Sequence, residues 1–287
     1  MTRHIALTLL LASLLSMAAC AQPAGQKPVA LTQTNEQGCT RQRSLGPQDP
    51  YADPAPLKEA CIGPYLLALP QNYFYNQIGT EHDGSYMLAL EYPSLQAFKP
   101  GERMNLTADM SIRTVSVEYR YIDRIDIREA MRRSYTPMAY QQGNPEASLE
   151  SRIQGERLHG LVPYYLDMGV VRTHYRAQGF KEGAPVMTAG FHKDWFLAKD
   201  AAGEVETVIK CTPREITVSG VEYREGKLVK SKENGYAVCT QTFMIAPMKT
   251  LVEVTYPREG LERWREIDAR ARELLTGAIK QSRGVKK

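Results

Sequence analysis

The 287 residues are 43% hydrophobic and only mildly basic, with 36 Lys and Arg against 32 Asp and Glu. The small positive excess is spread along the sequence, which argues against a nucleic-acid binder, whose cations gather on one face. The length allows a sizeable core in one or two domains.

The chain opens with Arg3 and His4, followed by an apolar run from Ile5 to Leu15. Eleven residues fall well short of the roughly 20 that a membrane-spanning helix needs, so the run reads as the core of an export signal. Ser16-Met17-Ala18-Ala19-Cys20 then resembles the lipobox of bacterial lipoproteins, with Met17 where that family usually has Leu. The resemblance implies removal of residues 1–19 and acylation of Cys20. With Ala21 rather than Asp next to it, sorting to the periplasmic face of the outer membrane is expected. Ordinary cleavage after Ala21 is the competing reading, because Ala19-Cys20-Ala21 also satisfies the small-x-small rule.

From Ala21 to Pro56 the sequence is rich in Pro, Gln and Asn and has almost no apolar periodicity, so residues 20–56 read as a lipidated N-terminus and tether. Either cleavage leaves Cys39, Cys61, Cys211 and Cys239, an even number that suggests two disulfides outside the cytosol. Three connectivities are open; the sequence-local one, Cys39 with Cys61 and Cys211 with Cys239, is favoured. No CxxC spacing and no closely spaced histidine pair supports a metal site, and no cofactor is expected.

Residues 62–70 and 86–92 read as short strands. Ser111 to Tyr121 alternates, with Arg113, Val115, Val117, Tyr119 and Tyr121 on the face expected to be buried. Residues 126–133 look like a short helix stopped by Pro137. The strand pattern returns from Leu158 to Tyr175, most clearly at 170–176, and again at 191–197, before a turn at 199–203. Strands are expected at 205–211, 215–223, 236–245 and 250–256. The last element is an amphipathic helix, with Leu261, Trp264, Ile267, Ala271, Leu274, Leu275 and Ala278 on one face. The fold expected is α+β: antiparallel sheets, few helices and a C-terminal helix packed on a sheet. The body would divide into halves at 57–183 and 184–287. A faint echo between 61–98 and 239–261, in the order Cys, strand, Pro, strand, Tyr-Pro, is consistent with duplication.

Catalytic motifs such as GxSxG, HExxH and phosphate-binding glycine loops are missing. Among the histidines, His82 sits in a turn-type sequence, His-Asp-Gly, His159 at a loop edge and His174 in an expected strand. His192 with Asp194 is the one pair worth testing as a site, since residues two apart on a strand share a face and a carboxylate can orient the ring. Tyr73-Phe74-Tyr75, Tyr164-Tyr165 and Trp195 are the candidate partner-binding residues, because tyrosine-rich loops make protein contacts at modest entropic cost. The bland reading is that these rings plug the edges of the core.

CIGPYLLALP (61–70), Cys211, Cys239-Thr240-Gln241-Thr242-Phe243 and a closing helix with Trp264 resemble the lipoprotein immunity proteins that neutralise type VI secretion lipase effectors; Pro64 stands where that family normally has Arg. The resemblance implies a non-enzymatic periplasmic protein that binds a secreted phospholipase. The rival readings are an envelope-assembly or structural lipoprotein, also acting by protein binding, and a small periplasmic hydrolase using His192 and Asp194.

Overall fold

The computed structural model describes residues 30–81, 86–181 and 192–280. Cys20 and the lipobox, His82-Asp83-Gly84 and Phe191 therefore lie outside the described residues. In chain order the strands begin with β1 (Thr32–Thr34), β2 (Thr40–Gln42), β3 (Leu57–Ile62), β4 (Tyr65–Pro70), β5 (Met87–Glu91) and β6 (Gln96–Ala97). Helix α1 (Ala108–Arg113) leads directly into β7 (Thr114–Tyr121), and α2 (Ile127–Arg132) follows. Next come β8 (Arg152–Gln154), β9 (Val162–Leu166), α3 (Met168–Ala177), β10 (Asp194–Lys199) and β11 (Val205–Cys211). The hairpin β12 (Val221–Arg224) and β13 (Lys227–Lys230) precedes β14 (Val238–Ile245), β15 (Thr250–Pro257) and α4 (Trp264–Gly277).

Nine strands form one antiparallel sheet in the order β6-β5-β7-β15-β14-β11-β10-β9-β8, and three separate two-stranded hairpins complete the α+β fold. The sheet takes strands from both sides of residue 183, and β7 pairs β15 across that point. Strands β5 and β15 flank β7 and run in the same direction. Each leads into a Tyr-Pro step, Tyr92-Pro93 and Tyr256-Pro257, offset by two residues in the β7 register.

Strand alternation gives this sheet two different faces. On the inner face one register row runs Leu88, Val117, Val254, Gln241, Ile209, Phe196. Helix α4 packs there through Trp264, Ile267, Ala271, Leu274 and Leu275, the 3-4 stripe expected from sequence. Burial of each large side chain in that stripe stabilises by roughly 1.5–3 kcal/mol. Gln241 is fully buried among them because Tyr256 donates to its Oε1 at 3.1 Å. The helix end is tied to the β3–β4 hairpin by Ala68 N to Ala278 O and Lys280 N to Leu66 O, both 2.9 Å. On the outer face α2 covers only part of the sheet, burying Ile127, Ala130 and Met131 against Leu197, Val208 and Leu251.

Several local expectations are corrected. Residues 170–176 are helical, not a strand: Asp167 caps α3 by accepting from Gly169 N and Val170 N, and only Val171 of the helix is buried. The strand expected from Ser111 begins at Thr114, because Thr107 caps α1 through Met110 N. Of the segment 215–223, only Val221 onward is strand. Residues 32–56, read from composition as part of a tether, carry folded contacts. Cys39 is buried and bonded to Cys61, and buried Arg41 pairs with Glu81. The apolar periodicity used to recognise folded segments does not register this kind of attachment, which is made by polar side chains and one disulfide. The second disulfide joins Cys211 and Cys239, direct neighbours on β11 and β14, so both local pairings hold.

Candidate partner-binding face

The outer face is built by the same alternation that fills the core. With Val115, Val117 and Tyr119 turned inward, β7 presents Thr114, Ser116, Glu118 and Arg120 outward. Register then fixes a transverse row: Ala89, Ser116, Thr255, Thr240, Lys210, Trp195, Tyr164, Gln154. Ser116, Thr240, Thr255 and Lys210 are half-buried, and Arg120 is exposed. Arg120 lies 3.7 Å from Glu118 and 3.4 Å from Glu253, so these charges largely neutralise one another.

One end of the row opens into a cleft of about 230 Å³ beneath Tyr75, Leu106 and Tyr236, all three exposed. Its floor includes Arg103, whose guanidinium lies 5.7 Å from the Tyr75 ring and 5.5 Å from the Phe98 ring. Arg103 donates to the carbonyls of Tyr75 and Phe74 at 2.7 Å each, and burial lowers its pKa to about 10. Tyr236, which lines the cleft, is held by donating to Ile112 O at 2.7 Å.

The other end is cationic. Trp195 is buried between Arg152, 4.0 Å from the ring centroid, and the Lys210 ammonium at 3.9 Å, two cation–π contacts on one indole. Arg152 is fixed by donating to Lys193 O at 2.7 Å, Glu146 O at 3.0 Å and Tyr164 O at 3.3 Å. Desolvation, with the Arg152 charge adding to it, lowers the Lys210 pKa to about 8 against the opposing pull of Glu253. Desolvation also lowers Arg152 to about 10.

The aromatic residues singled out from sequence separate. Tyr75 reaches solvent, Phe74 is core, and Tyr73 packs against the core with its hydroxyl 3.2 Å from Arg270 Nη2. Tyr164 shares the outer face with Trp195, whereas Tyr165 turns to the inner side against Phe196 and under the Arg214 guanidinium at 3.6 Å. Phe74 and Trp195 thus offer a partner almost no surface. Lys210 and Tyr236 reach the face, with the buried Arg103 and Arg152 beneath it; all four were missed, because only the packing of distant segments brings them together.

His192 and Asp194 are both buried but take different partners. His192 Nε2 is 2.9 Å from Glu146 Oε1, and the Tyr175 hydroxyl donates to the same carboxylate oxygen. Burial, together with the hydrogen bond to Glu146, pushes Tyr175 up to about 12. Asp194 instead accepts from Arg214 N at 2.7 Å, and burial raises its carboxyl to about 6. Glu146, not Asp194, is the acid beside the imidazole; nothing in the sequence pairs positions so far apart. Among the described residues, no group of three His, Cys, Asp or Glu side chains could hold a metal.

The fold has a solved counterpart. An immunity protein of the Stenotrophomonas maltophilia type IV secretion system superposes with a TM-score of 0.68 at 21% identity, covering 87% of this chain and 99% of that one. The likeness is one of fold. No protein-family model and no curated protein matches the sequence. The superposition extends over most of this chain and almost all of the other, so the likeness is of the whole fold rather than of one motif.

Proposed function

We propose that this chain is an immunity protein: it binds a secreted bacterial toxin and blocks it by occupying the surface the toxin needs. The toxin class proposed is a type VI secretion phospholipase. The chain would be held at the periplasmic face of the outer membrane by a lipid on Cys20. The observation that carries the reading is the half-exposed polar row on the outer sheet face, rimmed by Tyr75, Leu106 and Tyr236 at one end and cationic at the other. A wide face with aromatic edges and few net charges suits a protein surface better than a small molecule. The fold counterpart, an immunity protein, agrees with this reading, as do the sequence resemblances at the lipobox and at residues 61–70.

Inhibition by occupancy is stoichiometric. Titrating lipid-free protein against type VI secretion phospholipase effectors should abolish lipid hydrolysis by its cognate toxin near one copy per toxin. Protection at far lower ratios would mean turnover, and no effect at any ratio would remove the immunity reading. For the anchor, alkyne fatty-acid labelling should mark the wild-type chain and not Cys20→Ser; absence of label in both would rule acylation out.

A further inference from the structure

Lys210 occupies the centre of the open row, between Thr240 on β14 and Trp195 on β10. Its ammonium rests on the indole, and among the described residues it has no hydrogen-bond or ion-pair partner. The charges around it come from three strands. Arg152 on β8 shares the same ring and repels it. Glu253 on β15 attracts it, but Arg120 on β7 holds that carboxylate at 3.4 Å. The result is a half-buried Lys210 beside a buried Arg152 on one tryptophan; Asp194 and Glu146 offset the Arg152 charge, whereas among the described residues no carboxylate pairs directly with the Lys210 ammonium.

Such a pair constrains what can cover it. Any partner seated on the row would strip the remaining water from the Lys210 ammonium, and an uncompensated buried charge costs several kcal/mol. An apolar or cationic partner surface is therefore excluded from this spot, whereas a carboxylate would offset the loss. Thr240 and Thr255, whose hydroxyl oxygens are 3.4 Å apart, continue the row on the side of Lys210 away from Trp195 and offer hydroxyl donors to a polar partner surface. A flat row suits a side chain projecting from a folded protein.

We propose that Lys210, backed by Trp195 and Arg152, is the anchor that receives an Asp or Glu side chain of the protein partner. This rests on the toxin-binding reading above. Binding would then be coupled to proton uptake: a new carboxylate raises the Lys210 pKa, so affinity is level below pH 8 and falls as pH rises above it.

The test is calorimetric, using the mature chain and the type VI secretion phospholipase that the titration above identifies as its toxin. Lys210→Met should weaken binding by about 30-fold or more, the range for losing one member of a desolvated charge pair. Lys210→Arg should stay within a few-fold of wild type and lose the decline above pH 8, because arginine does not deprotonate there. Thermal melts of both variants guard against misfolding, and Lys210→Met should melt no lower than wild type because it removes an unpaired cation. Wild-type binding with Lys210→Met unchanged would overturn the anchor while leaving the toxin-binding reading intact. Failure of the wild type to bind would overturn both. Capture of the wild type by phosphatidylglycerol vesicles, lost in Lys210→Met, would replace the carboxylate with a lipid phosphate and also overturn the proposal.

Discussion

The Tyr119 hydroxyl on β7 donates to the backbone oxygen of Ala271 in α4 at 2.7 Å, joining positions 152 residues apart inside the main core. Burial holds this phenol well above its usual pKa, so the proton stays in place across the physiological range. The bond fixes the closing helix against the strand at which the two sides of the chain meet. Tyr119→Phe should therefore cost about 1 kcal/mol, the net worth of one buried hydrogen bond. Urea unfolding should show a lower midpoint with an unchanged slope; an unaltered midpoint would contradict it.

The two disulfides should behave differently when removed. Cys211 and Cys239 staple the middle of the sheet, and freeing a loop of sequence separation 28 should lower global stability by about 3.5 kcal/mol in Cys211→Ala/Cys239→Ala. Cys39→Ala/Cys61→Ala should instead release the β1–β2 hairpin, whose first strand is exposed throughout. Hydrogen exchange would then accelerate across residues 32–42 well before the sheet. Uniform acceleration over the whole chain would refute this division.

Two glycines of one region separate conformational strain from collision. Gly226 turns the β12–β13 hairpin with φ +76°, and a Cβ there would meet nothing within 4 Å, so Gly226→Ala should cost about 1 kcal/mol. Gly220 has φ +77°, and a Cβ there would sit 1.9 Å from Gly235 O. Gly220→Ala must push two backbone segments apart and should cost at least twice as much by thermal melting.

Asp194 gives a pH signature. Its carboxyl is raised to about 6 in the folded chain, so between roughly pH 4 and 6 the native state holds more protons than the unfolded state. Stability contributed by this group is therefore greatest at the acid end, is lost as pH rises through that window, and is level above it. Asp194→Asn should remove the slope and gain on the order of 2 kcal/mol at pH 7 relative to pH 4, compared with wild type. Parallel pH profiles for the two proteins would show that burial does not perturb this acid.

The α+β class, the inward face of β7, the α4 stripe and the disulfide pairing were all legible in the amino-acid sequence. Each follows from short-range periodicity or from cysteine spacing. The remaining features depend on how distant segments pack. Val170 to Arg176 has strand-like composition, yet Asp167 supplies a cap and the segment coils into α3. Tyr164 and Tyr165 are adjacent in sequence and end on opposite faces of the sheet, one beside Trp195 and one against Phe196. His192 finds Glu146 rather than Asp194. Lys210 is an ordinary lysine in sequence and becomes a half-buried cation on an indole only when β10, β11 and β8 are in register. Periodicity reports which way a residue points relative to its own backbone. The desolvation and charge that give a residue its chemistry come from side chains tens of residues away, and only the pairing of strands brings those together.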